Sequence, residues 1–196
     1  MALDLLPADV RERYRIFEWR NAVSILHCDY PDQLRDIVDV LRAFQLTRTD
    51  ILTPGGRKSP IAARLDSGFY SRGWTEKWFR IHTDIDGTPV EIPTHGVDCF
   101  QNKVGVEVEW NNKDPFYDRD LNNFRLLFDL MALDVGVIIT RDSSLQHIFD
   151  RLGKGKSYGP STTHWNKLVP RVKGQGSGGC PLLLVGITQQ VYRDDL

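Results

Sequence analysis

No run of 18 apolar residues occurs anywhere in this chain, so no segment reads as a membrane-spanning helix. Cysteine is scarce: Cys28, Cys99 and Cys180 are far apart. An odd, scattered set fits reduced thiols better than a disulfide frame or a zinc site. Internal repeats are lacking, and the one low-complexity stretch is glycine-rich, Gly174 to Gly179. The opening MALDLLPADVRERYR puts charge where a signal peptide needs its apolar segment, so a cytoplasmic protein is expected. What is present is the material of a globular domain. The 196 residues, 41% hydrophobic and 26% charged, exclude a disordered or fibrous chain and suffice to bury a core without staples.

A second scarcity is local. From Arg151 to Arg193 there is no Asp or Glu, but seven cations: Arg151, Lys154, Lys156, Lys167, Arg171, Lys173 and Arg193. The rest carries 18 cations against 26 acids. A basic pole on an otherwise acidic chain suits a polyanion such as nucleic acid, although a solvated surface has the same composition.

Along the chain, Tyr14 to Leu26 fits strand or helix. Pro31 and Asp32 open a helix with Leu34, Ile37, Val38, Leu41 and Phe44 on one face. Residues 53–60 read as a loop carrying Arg57 and Lys58. Residues 61–80 give a short helix, a turn at Gly68, and an aromatic stretch with Trp74, Trp78 and Phe79. Lys103 to Trp110 alternates strictly: Val104, Val106 and Val108 on one face, Gly105, Glu107 and Glu109 on the other. Asp118 can cap a helix to about Leu133, with Leu121, Phe124, Phe128 and Met131 on one stripe and Leu126, Leu127 and Leu130 elsewhere. Apolar residues around most of that helix imply burial on two sides. Val135 to Thr140 then reads as a buried strand, so strand, helix and strand form a crossover with parallel strands. Leu182 to Thr188 supplies a further strand. The fold class is α/β with a mixed central sheet flanked by helices.

The two glutamates carry the chemistry. A solvated strand face would account for them, but like charges at i and i+2 repel across roughly 7 Å unless a cation lies between them. Asp98 precedes Glu107 by nine residues, with Gln101 and Asn102 able to turn, so a hairpin can return Asp98 beside Glu107. Three carboxylates at one edge make an oxygen-only site suited to Mg2+ and to phosphoryl displacement. As a sugar-cleaving pair, Glu107 and Glu109 fail, because two acids on one strand do not flank a glycosidic bond.

Asp98, eight residues, Glu107, one residue, Glu109 resembles the metal-binding core of the PD-(D/E)XK nucleases. Asp98 to Trp110, Arg119, Phe124, Asp134-Val135-Gly136-Val137 and Pro181 to Ile187 resemble, in order, the BglII/BstYI group of type II restriction endonucleases, over roughly residues 90–190. The resemblance implies a restriction-endonuclease-like fold, one endonuclease domain over 1–196 with a helical, DNA-clasping portion (1–80) and a catalytic core (81–190). It also implies Mg2+-dependent cleavage of double-stranded DNA at a short palindrome, and a homodimer to cut both strands. A core such as GATC, and a cognate DNA methyltransferase in the same bacterial or archaeal cell without direct contact, are implied as well. Asp98, Glu107 and Glu109 would be both catalytic and metal-binding. The general motif has lysine where this chain has Glu109, so Glu109 is assigned as general base or further metal ligand. Asp84, Asp86 and Glu91 are upstream acids with two placements open to them, in the site or on the surface.

Two segments are candidates for contacting DNA. Asn111, Asn112 and Lys113, with Arg119, follow the catalytic strand and lie near the major groove in the family the sequence resembles. Asparagine matches adenine, and Lys or Arg matches guanine or phosphate. The same residues also make an ordinary turn before a helix. In the basic region Ser161, Thr162, Thr163 and His164 can touch bases, and Lys154, Lys156, Lys167, Arg171 and Lys173 can hold phosphates; a plain loop is the alternative. Gly153 to Ser157 is no P-loop, since Asp150 stands where its first glycine belongs. His27, His82 and His147 read as structural, and His95 as structural or close to the site. Trp74, Trp78, Trp110 and Trp165 read as core or interface. A nonspecific or repair-type nuclease, or an inert DNA-binding module, are the competing functions.

Overall fold

The computed structural model describes residues 2–54 and 59–195, so Arg57 and Lys58 of the expected loop lie outside the described residues. The strands are β1 (Tyr14–Trp19), β2 (Leu46–Thr47), β3 (Thr75–Lys77), β4 (Ile81–Ile85), β5 (Thr88–Ile92), β6 (Val97–Gln101), β7 (Val104–Glu109), β8 (Val135–Arg141), β9 (Leu182–Ile187) and β10 (Tyr192–Arg193). The helices are α1 (Ala8–Arg13), α2 (Ala22–Asp29), α3 (Pro31–Ala43), α4 (Arg48–Leu52), α5 (Pro60–Tyr70), α6 (Pro115–Asp129), α7 (Gln146–Arg151) and α8 (Trp165–Lys173). Six strands form one mixed sheet in the order β1-β9-β8-β7-β6-β3. β7, β8 and β9 are parallel, while β1, β6 and β3 run antiparallel to their neighbours. The α/β class and the parallel β7–α6–β8 crossover expected from the sequence are borne out.

Both sheet faces are covered, so the alternation in β7 sorts residues between two cores instead of between core and water. Val104, Val106 and Val108 pack with Val135, Val137 and Ile139 of β8 and with Leu26, Ile37, Leu41 and Leu65 of the amino-terminal helices. The other face packs under α6 and α8 through Tyr117, Leu121, Phe124, Leu127, Leu168 and Val172. β1 and β3 belong to the same sheet as β6–β9, so a boundary near residue 80 does not divide the fold. The segment that fitted strand or helix is both, β1 followed by α2.

A glycine pair sets the height of α6. Gly105 and Gly136 are register partners. A Cβ on Gly136 would stand 2.7 Å from Phe124 and from Leu182, and one on Gly105 3.1 Å from Phe124. The two hydrogens open a slot for the Phe124 ring, and α6 settles closely on β7. Asp120, one helical turn before Phe124, is thereby carried over the strand at the level of the glutamates.

Several local expectations are corrected. α6 begins at Pro115 and stops at Asp129, not Asp118 to Leu133. Met131 has φ 56° and is 75% exposed: the chain leaves the helix there to return Leu133 to the core, so Met131 is not on the buried stripe. Leu130 is exposed too, and α6 buries one face instead of two. Gly68 lies inside α5, where it lets Val40 of α3 approach, and makes no turn. Trp78 is 61% exposed, unlike Trp74, Trp110 and Trp165. Among the described residues no helix is long and apolar enough to cross a membrane.

Candidate active site

The hairpin that joins β6 to β7 turns on Asn102 and Lys103, both with positive φ (46° and 66°), the conformation a tight two-residue hairpin needs. Its register pairs Gln101 with Val104, Phe100 with Gly105 and Cys99 with Val106, and Asp98 and Glu107 are the next residues beyond that last pair. Asp98 Oδ2 accepts the Val108 N–H at 3.1 Å, and the side chain is half-buried at the rim of a cleft. That cleft, of about 710 Å³, is lined among others by His95, Asp98, Glu109, Asn112, Phe116 and Arg119.

Glu107 and Glu109 are 1% and 2% exposed, so they are not acids of a wet strand face. They meet Asp120, which is fully buried on α6. Burial is the first cause that lifts the Glu107 carboxyl well above its usual range, and the charges of Asp120 and Asp98 add to it. Glu109 is pushed up to about 9, again by burial and then by Asp120, against the Asn112 amide and Arg119. Asp120 is raised by burial and held back by Arg119 and by its hydrogen bond with Glu109. Burial and the nearby Arg119 charge lower His95. Arg119 is the counter-charge: its Nη2 lies 2.8 Å from Asp120 Oδ1 and 3.5 Å from Glu109 Oε1, and its guanidinium lies 4.3 Å from the centre of the Phe116 ring.

This donor set fits a hard divalent cation. Glu107 Oε1 and Asp120 Oδ2 are buried with no hydrogen-bond partner, and carboxylate oxygens are the ligands such ions take. Among the described residues no three acidic, His or Cys side chains are already drawn around one point as a closed cage. The acids stand as neighbours linked by hydrogen bonds.

The fold brings together Asp98, Glu107, Glu109, Asn112, Arg119 and His95. Asp120 was missed by the sequence reading, because an acid among the polar residues of an amphipathic helix gives no sign that it faces inward. Asp84, Asp86 and Glu91 stand exposed on the β4–β5 hairpin and do not join the cluster; Asp84 instead accepts the Gly87 N–H of the hairpin turn.

The residues expected to touch DNA divide. Lys113, Lys156 and Ser161 are exposed, and Lys154 is half-buried. Asn111 donates its amide to Ser157 O at 3.0 Å, and Asn112 donates to Glu109 Oε2 at 2.8 Å, so both amides serve the protein. Thr162 accepts from Arg141 at 2.9 Å. Thr163 is fully buried and offers no hydroxyl to a base. His164 Nδ1 pairs with Ser143 Oγ at 2.9 Å. Lys167 bonds Asp114 at 2.9 Å, Arg171 bonds Asp118 at 2.8 Å, and Lys173 lies over the Phe17 ring. The basic pole of the sequence is partly neutralised because α8 folds against the acidic start of α6.

A mixed sheet with carboxylates gathered at one end of a parallel crossover is the architecture of restriction-endonuclease-like nucleases. The sequence profile of the restriction endonuclease BglII/BglIII family matches residues 14–187, and the chain belongs to that family. The match runs from β1 to the end of β9 and so spans the whole central sheet. Among curated proteins, none matches the chain.

Proposed function

We propose that the chain is a type II restriction endonuclease that hydrolyses phosphodiester bonds of double-stranded DNA at a short palindrome, depends on Mg2+, and acts as a homodimer. A GATC core is the first site to test, and a methyltransferase protecting that site belongs to the same system. The observation that carries the reading is that Asp98 and Glu109, from two paired strands, line one cleft with α6 on its far side, and that Glu107 lies buried behind them as their neighbour.

Asp98, Glu107 and Glu109 would hold the metal, with the unpartnered Glu107 Oε1 as an inner ligand. When bound, the cation stabilises charge on the phosphoryl oxygens and eases deprotonation of water. Glu109, which lines the cleft with Asp98, would take the proton of an attacking water at its carboxylate. Arg119 holds the Glu109 and Asp120 side chains on the α6 side of the cleft, and its charge favours an anionic phosphate there. Lys113, Lys154 and Lys156 would fix the DNA backbone and its register.

Plasmid DNA incubated with the purified protein and Mg2+ tests this. Discrete fragments are expected, abolished by EDTA, and E107Q should lower the cleavage rate by about 10²- to 10³-fold, as loss of a charge-stabilising group does, while DNA is still retained. A smear would favour a nonspecific nuclease, and retention without cleavage an inert binding module.

A further inference from the structure

Thr163 was expected at a base edge and lies instead between two loops, where it meets the end of the catalytic strand. Its N–H donates to Asn112 O at 2.8 Å, and its Oγ1 accepts the Asn112 N–H at 3.0 Å. The same hydroxyl lies 3.5 Å from Glu109 O, as a donor to it. Thr140 Oγ1 donates to that carbonyl at 2.8 Å and is paired with the Tyr117 hydroxyl at 2.6 Å. Asn112, gripped at both its N–H and its C=O by one threonine, presents its side-chain amide to Glu109 Oε2.

The pairing extends beyond that residue. Lys113 and Thr162 form a β-bridge, Asp114 N–H donates to Ser161 O at 3.3 Å, and the Asn111 amide reaches Ser157 O. Residues 157–163 are thus zipped to residues 111–114. The outer side of the zipper is exposed at Ser161 and Lys113, and its inner side ends on Glu109. Two buried hydroxyls, of Thr163 and Thr140, meet the Glu109 carbonyl, and among the described residues Thr163 is the one that also bonds the Asn112 N–H.

Resting on the nuclease reading above, we infer that Thr163 is a positioning residue that couples the 157–163 segment to Glu109 through Asn112. A DNA contact on Ser161 or Lys113 that shifts the zipper moves Asn112 with it, because two hydrogen bonds tie that residue to Thr163. Movement of Asn112 re-aims the Glu109 carboxylate, the cleft acid assigned to metal and water. Correct DNA and active-site geometry are joined by this connection, whereas a mispaired surface leaves Glu109 free of its amide.

T163V keeps the shape and removes the hydroxyl, and T163S restores it. Single-turnover cleavage of plasmid DNA by T163V should fall about 10- to 100-fold, the scale of small misplacements of a reacting group, with KM for DNA unchanged and T163S within about threefold of wild type, the scale of one modest hydrogen bond. Mg2+ binding without DNA, followed by calorimetry, should weaken about tenfold in T163V and not in T163S, again one group misplaced. Far-UV circular dichroism checks that both variants fold. A T163V that is folded, cuts at the wild-type rate and binds Mg2+ as wild type does overturns the coupling alone. Loss of KM instead of kcat, or a T163S as slow as T163V, overturns it too. Wild-type protein that leaves DNA intact overturns the nuclease reading and the coupling with it.

Discussion

Removing the charge of Asp120 should stabilise the cation-free protein at neutral and alkaline pH, the reverse of what altering a buried polar residue ordinarily does. Glu109 is carried from 4.5 to about 9, by burial and then by Asp120, and Glu107 and Asp120 move in the same direction. A carboxyl raised in the folded state contributes its full stability below its unfolded value, and that contribution is lost as pH climbs through the folded one. For Glu109 the window therefore runs from about 4.5 to about 9. By pH 7.5 the loss is on the order of 4 kcal/mol, a large share of the stability of a small domain. D120N keeps Oδ1 as the acceptor for Arg119 and takes one anion away from both glutamates. It should recover about 1–2 kcal/mol at pH 7.5 and almost nothing at pH 5, so the stability profile becomes flatter. Urea melts at half-unit steps from pH 5 to 9, in EDTA, measure this directly. Wild-type stability that is level across that range, or a D120N deficit equal at every pH, would refute the reasoning. With Mg2+ added, the wild-type profile should level out, because a bound cation replaces protons as the compensating charge.

Two further outcomes test the scaffold. G136A puts a methyl group 2.7 Å from Phe124 and Leu182 in the middle of the sheet, so thermal melts should show a loss of about 1–3 kcal/mol, and a melt like wild type would mean that α6 has slack over β7. Arg141 is a fully buried guanidinium that donates to Tyr158 O, Gly159 O and Thr162 Oγ1 and lies beside the Phe149 and Tyr158 rings. R141M leaves those acceptors without their donor; it should lower stability by about 2–4 kcal/mol and expose residues 157–162 to limited proteolysis, and an unchanged cleavage pattern would disprove that anchoring.

The parts of the site that could be read from sequence are those confined to one element or one tight connection. Period-two alternation separated the valines of β7 from its glutamates, and a nine-residue spacing with a turn-forming pair returned Asp98 to Glu107. Both depend only on pleat and hairpin geometry. Asp120, by contrast, reads as one more polar residue of an amphipathic helix. Only the Gly105–Gly136 slot beneath Phe124 presses that side of α6 onto the strand. Thr163 and Lys167 were misjudged for the same kind of reason. Their partners Asn112 and Asp114 stand about fifty residues earlier, and no local pattern announces such a pairing.

Sequence alone determined the α/β class, the acid-bearing strand and the family whose profile spans β1 to β9, because short-range backbone geometry and an ordered set of motifs are written along the chain. Tertiary structure decided which acids are buried together, which cations are already neutralised, and which hydroxyl faces inward. Those properties come from distances between segments remote in sequence, and the packing of α6 and α8 on the sheet sets those distances.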